Sequence, residues 1–209
     1  MPKGRPREFD TEKALDIALL LFWKQGYEGT SLAALTESMG INTPSLYAAF
    51  GNKEELFKKV LDRYLEKPAS YLPKALTHPT ALGAAESLLN GAIDMVTNRS
   101  HPDGCLLVQG ALASGPMTEN MRVELSRRRA SAEAAVRRRF ERAIAEGDLP
   151  RDADAARLAR YMITVIWGLS VEASGGATKA QLKEVAEMAL RSWPGEPVDG
   201  SLEPAPATG

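Results

Sequence analysis

Between Asp10 and Glu66, helix starts and stops crowd so closely that the chain can form only short helices joined by tight turns. Asp10 has the carboxylate of an N-cap, which accepts from the free amides of a first helical turn, and Glu12 sits favourably in that turn. Leu15, Ala18, Leu19 and Phe22 then recur at helical spacing, and Gly26 is a fitting stop. Thr30 is the expected cap of a second helix, 31–39, with Leu32, Leu35 and Met39 on one face. Gly40 closes it, because glycine takes a positive φ in a tight turn without steric cost. Thr43 is the expected cap of a third helix, with Pro44 at the first helical position, where its missing N–H costs nothing. Asn52 and Glu55 read as a capping box for a fourth helix, 53–66, which buries Leu56, Phe57, Val60, Leu61 and Tyr64.

Pro68 and Pro73 mark a boundary. Beyond it, helical periodicity covers 80–98, 104–114, 118–146, 153–173 and 178–192, and no alternating β-branched run suggests a strand. The expected fold is all-α. An N-terminal three-helix helix-turn-helix domain (10–66) precedes a larger C-terminal helical domain (67–193) for effector binding and dimerisation. Residues 1–9 read as a flexible basic arm, and 194–209, rich in Pro and Gly, as a disordered tail.

Bulk charge points to no partner, since 26 basic residues face 27 acidic ones. Any nucleic-acid contact must come from a local cluster. The one cysteine, Cys105, excludes an intramolecular disulfide, and with two histidines it leaves too few ligands for a zinc site. We expect no metal and no cofactor. No apolar run approaches the length of a membrane span, and no leader is apparent, so a cytoplasmic location is expected.

In a helix-turn-helix, the third helix lies in the major groove while the second braces it. Leu46 and Phe50, four residues apart, would anchor such a helix, leaving Thr43, Ser45, Tyr47, Ala48 and Ala49 facing the groove. Tyr47 suits a phosphate or a base edge, and the alanines suit thymine methyls. Lys53 and Thr30, at the starts of flanking helices, would bring charge and amides to phosphates. Arg5 and Arg7 can reach a minor groove. Taken singly, Tyr47 reads equally as a core aromatic and Lys53 as a solvated charge.

The whole run "GYEGTSLAALTESMGINTPSLYAAFGNKEELF" resembles the DNA-binding domain of the TetR family of transcriptional regulators. The match lies in G-Y-x-G-T-S, then G-x-N-x-x-S-L-Y-x-x-F, then K-E-E-L. The resemblance implies that Thr30, Tyr47 and Lys53 touch the DNA backbone, while Thr43, Ser45, Ala48 and Ala49 sit nearest the bases. Two positions depart from the family pattern. Thr36 stands where alanine is usual and would bury a hydroxyl, and Ala49 replaces a residue that is often polar.

The resemblance also implies a helical domain that binds a small molecule and dimerises through its last two helices. Independently, Leu158, Met162, Val165, Ile166 and Leu169 form one apolar stripe, and Leu182, Val185 and Met188 form another. Two such stripes suit half of a four-helix bundle across a two-fold axis; they could equally pack within one protomer. The expected cavity lies among helices 53–66, 80–98, 104–114 and 118–146, closed by 153–173. Tyr64, Met95, Cys105, Gln109, Met121 and Trp167 are its candidate lining, suited to an apolar or aromatic effector. Arginine triplets at 127–129 and 137–139 read as a solvated face pairing with Glu124, Glu133 and Glu141. Cys105, in an expected first helical turn, would have a lowered pKa from the helix dipole and His101 as a neighbour.

The resulting expectation is a homodimeric repressor that binds palindromic double-stranded DNA and is released by a small molecule. One alternative is a thiol-based redox or electrophile sensor acting through Cys105. The other is a helical enzyme carrying a DNA-binding head, although no catalytic set is evident.

Overall fold

The computed structural model describes residues 9–112 and 119–194, with backbone alone at 110–112. Arg5, Arg7 and the expected tail beyond Pro194 lie outside the described residues. Among the described residues ten helices follow in order: α1 (Thr11–Gly29), α2 (Leu32–Met39), α3 (Thr43–Phe50), α4 (Lys53–Glu66), α5 (Tyr71–Ala75), α6 (Ala81–Val96), α7 (Leu106–Leu112), α8 (Glu119–Glu146), α9 (Ala155–Ser174) and α10 (Lys179–Arg191). No strand occurs among the described residues.

Most boundaries fall where the capping chemistry put them. Asp10 accepts from the amides of Glu12 and Lys13 at 2.9 and 3.2 Å. Gly26, at φ 73°, breaks the helical path of α1. Two caps differ from expectation by one residue. Ser31 caps α2, accepting from Ala34 N at 3.0 Å. Asn42 caps α3, accepting from Ser45 N at 2.8 Å, which makes Thr43 the first helical residue. In both cases the residue whose oxygen reaches the amides of the first turn takes the role: the Thr30 hydroxyl is given to the Gly26 carbonyl, and Thr43 already lies in the helix. α5 is the one helix absent from the sequence reading. Its Pro73 is tolerated because amides of a first turn have no intrahelical partner to lose.

The core runs without interruption from the head into the larger part. Leu35, Leu46, Phe22 and Phe57 fill the head, and Trp23 of α1 meets Tyr64 of α4 edge-on with centroids 4.9 Å apart. α6 is the buried axis of the remainder, with Leu88, Leu89 and Ile93 fully enclosed. α9 packs between α6 and α8, and α10 lies on α6 and α9. The glutamates of α8 pair much as the charge pattern suggested: Glu124 with Arg127 and Arg128, Glu141 with Arg137, and Glu133 with Arg160 of α9. Arg139 departs from the solvated face. It is buried and donates to the carbonyls of His78 and Pro79, both at 2.9 Å, holding the turn before α6.

Candidate nucleic-acid interface and effector cavity

The sharp turn of the α2–α3 pair is built by Gly40. It sits at φ 66°, and its amide reaches the Glu37 carbonyl while Ile41 N reaches Thr36 O. Thr36 leaves no hydroxyl unsatisfied, since it donates to the carbonyls of Leu32 and Ala33, both at 3.0 Å. Leu46 and Phe50 are buried and anchor α3, and Phe9 packs near Phe50 with ring centroids 6.3 Å apart. That orientation exposes Thr43, Tyr47 (46 %) and Ala48, and leaves Ser45 and Ala49 half-buried. α3 itself carries no charge, so phosphate attraction must come from its surroundings.

Lys53 places a positive charge at the start of α4. Its Nζ lies 4.4 Å from the centroid of the Tyr27 ring, a cation–π contact that limits where the ammonium can go. Partial burial lowers the Lys53 pKa, opposed by Glu28. Burial, with Glu54 and Glu28, pushes Tyr27 up to about 12, so this ring stays neutral. Asn52 and Glu55 form a reciprocal box, with bonds of 2.9 and 3.0 Å, which fixes the α3–α4 joint. Lys59 escaped the sequence reading. Its Nζ reaches the carbonyls of Phe50 and Ala49 at 3.2 and 3.4 Å, placing a cation at the negative end of α3. Only tertiary folding brings it there, nine residues along the chain.

Thr30 requires correction as a DNA contact. Its side chain is fully buried, and its hydroxyl donates to the Gly26 carbonyl at 2.7 Å, so it staples the kinked end of α1.

A cavity of about 390 Å³ opens between α4, α5, α8 and α9. Tyr64, Cys105 and Trp167 line it as expected, together with Tyr71, Ile163 and Ile166. α6 contributes no lining residue; α5 and its neighbours take that wall. Three other candidates fall elsewhere. Met121 is buried in the core, and Met95 lies behind Tyr64, its sulfur 3.3 Å from the phenol oxygen. Gln109 borders a separate cleft beside Trp23 and donates to the Asp103 carbonyl at 2.9 Å.

Cys105 lies just before α7, with its Sγ 3.2 Å from Tyr64 Oη. Burial raises its pKa, outweighing the Tyr64 hydroxyl, the Val108 and Leu107 amides and Arg129. The lowered pKa expected of a helix start is therefore reversed, because desolvation of a thiolate exceeds what these donors return. His101 does not serve as its base: the imidazole stacks on Trp23, with centroids 4.6 Å apart. Tyr64 and Tyr71 are raised by burial as well and stay protonated donors.

The expected dimer stripes divide in two. Met162, Ile166, Leu169 and Leu182 are buried within the protomer and belong to its core, so they are not free to meet a second copy. Leu158 and Val165 are half-buried, and Val185 and Met188 (70 %) are exposed, with Tyr161 exposed beside them. Helical spacing placed eight positions on two apolar stripes, but packing within the protomer consumes their inner half. No helix of the described residues is long and apolar enough to cross a membrane.

Comparison with known proteins meets this geometry at both ends. Residues 14–60 match the family described as bacterial regulatory proteins, tetR family, and residues 82–191 match the tetracyclin repressor-like C-terminal domain. The HTH-type transcriptional repressor ComR of Escherichia coli K12 is 34% identical over 200 residues, 92% of each chain. The repressor BdcR of the same organism is 32% identical over 192 residues, 89% of this chain and 90% of that protein. Among solved structures, a cysteine mutant of the TetR family regulator CifR, complexed with 26bp double-strand operator DNA, is 44% identical. The similarity covers 91% of this chain and 100% of that one at a TM-score of 0.86. With the capped α2–α3 pair at one end and matching C-terminal helices at the other, the chain belongs to the TetR family of bacterial regulatory proteins.

Proposed function

We infer that this protein is a homodimeric transcriptional repressor that binds a palindromic operator and leaves it when a small molecule fills the cavity. The observation that carries the reading is α3: two buried anchors, a fixed cap at each end, and an exposed face of Thr43, Tyr47 and Ala48. Ser45 and Ala49 flank that face, Lys53 supplies a phosphate contact, and Arg5 and Arg7 add a basic arm. Val185 and Met188, with Leu158 and Val165, supply the two-fold face that a palindrome requires. The relatives named as repressors, and the operator-bound neighbour, support a regulator over an enzyme. Release follows if the ligand favours one arrangement of the two heads, since equal affinity for both would shift nothing. The test is the pair Tyr47→Ala and Lys53→Ala. We expect unchanged melting and dimerisation, with operator affinity down about tenfold or more at moderate salt. Unchanged affinity for a selected palindrome would overturn the assignment.

The thiol-sensing alternative draws on one observation: Cys105 lines the cavity, so an electrophile held there would meet its sulfur. Its raised pKa keeps the resting thiol neutral and slow to react. Full induction of a Cys105→Ser variant would dismiss that alternative.

A further inference from the structure

The rim of the cavity is charged although its walls are largely apolar. Asp62 of α4 and Arg127 and Arg128 of α8 all border it. Arg128 is shared: its Nε lies 2.6 Å from Glu124, and its Nη1 lies 2.6 Å from Asp62. Nη2 also reaches the Lys58 carbonyl at 3.4 Å, so this one guanidinium holds α8 to α4 by two contacts. Its two carboxylate partners are unequal. The Glu124 side chain is 12% exposed, whereas that of Asp62 is 60% exposed and screened by water. Arg129 follows on the same helix and donates to the Leu107 carbonyl at 3.0 Å. Arg127 and Arg128 thus balance Glu124 and Asp62 at the rim, while Arg129 turns to the Leu107 carbonyl, so an anion enters by replacing one of these carboxylates.

The neighbouring residue on α4 pulls the other way. Arg63 binds Asp16 and Glu12 of α1, both at 2.6 Å, and Lys67 adds a third bond to Asp16. α4 is therefore fastened to α1 within the head by Arg63 and to the cavity rim by Asp62. The second fastening is the weaker one, and it is the one a ligand can reach.

We propose that the effector is an amphipathic carboxylate whose anionic end takes Arg128 from Asp62 while its apolar body fills the cavity. The exchange is non-covalent. The guanidinium keeps Glu124, gains the ligand carboxylate in fork-to-fork geometry and releases Asp62 to solvent. With Nε kept on Glu124, the fork takes both Nη1 and Nη2, so the Asp62 contact and the long bond to the Lys58 carbonyl are lost together; this frees α4 from α8 while Arg63 still carries α1 with it, so the head moves as a unit. The deep donors, Tyr64 and Tyr71, orient the body without supplying charge.

This proposal rests on the cavity being the effector site, so its test reads ligand binding without DNA as well as with it. Octanoate and methyl octanoate share a chain and differ in charge. Calorimetry on the full-length protein should show octanoate binding at least about tenfold tighter than the ester. Arg128→Gln should abolish that preference and leave ester affinity unchanged. Asp62→Asn, on the exposed rim, should tighten octanoate and lower the concentration that releases a fluorescent operator. Equal binding of acid and ester, or an intact preference in Arg128→Gln, would overturn the carboxylate assignment and leave the cavity reading standing. No binding of either would overturn both. Should Arg128→Gln fail to fold, Asp62→Asn decides alone: octanoate affinity that does not rise sinks the exchange.

Discussion

Gly51 joins α3 to α4, and replacing it tests how that joint is held. It sits at φ 78°, ψ −146°, a region where a side chain costs about 1–3 kcal/mol. A Cβ there would lie 1.6 Å from Glu55 Oε2, so the Glu55 carboxylate must leave. Its 3.0 Å bond to the Asn52 amide goes with it, at a cost of about 1 kcal/mol. Gly51→Ala should therefore destabilise the protein by about 2–4 kcal/mol, the sum of strain and a lost capping bond. Glu55→Ala alone should cost about 1 kcal/mol. With Glu55 already truncated, the alanine meets no carboxylate and only the backbone strain remains. The double variant should thus fall short of additivity by about 1 kcal/mol. Urea unfolding at one fixed protein concentration measures the cycle, because dimer stability depends on concentration. A Gly51→Ala cost under about 0.5 kcal/mol, or strict additivity, would refute this account of the joint.

Glu124 is held down to about 2 from its ordinary 4.5 by hydrogen bonds from Arg127 and then Arg128, against burial. A depressed carboxylate contributes fully above its unfolded pKa and loses that contribution as acid protonates it in the fold. Glu124→Gln should therefore be less stable than the parent at neutral pH, with the gap closing as pH falls from 4.5 toward about 2; a constant gap in urea midpoints would refute it. Met188→Glu places a charge on the exposed α9–α10 face and should leave helix content unchanged while sedimentation shifts to a monomer. Operator affinity should drop about tenfold or more, and a persistent Met188→Glu dimer would move the interface elsewhere.

Within the head, the order of elements was legible because its signals are local. Gly26, Gly40 and the Asn52–Glu55 box act over a single turn, and each does in the structure what its chemistry allows. The anchors Leu46 and Phe50 were legible for the same reason, being one helical turn apart. Caps misplaced by one residue, at Thr30 and Thr43, show the limit of that reading. Two adjacent polar residues compete for a cap, and which oxygen reaches the first turn is settled only once the chain direction is set. α5 escaped notice because five residues around a proline carry too little periodicity.

The sequence by itself determined the helical architecture, the exposure of Tyr47 and Ala48 on α3, and the apolar character of the last two helices. Those properties depend on contacts three or four residues apart. Tertiary structure alone decided that Thr30 is buried, that Met162, Ile166, Leu169 and Leu182 serve the protomer's own core, and that burial raises the Cys105 pKa. It also brought Arg128 to Asp62, sixty-six positions away along the chain. Burial and long-range pairing depend on how helices distant in sequence share their faces, and periodicity within one helix carries no information about which neighbour will cover it.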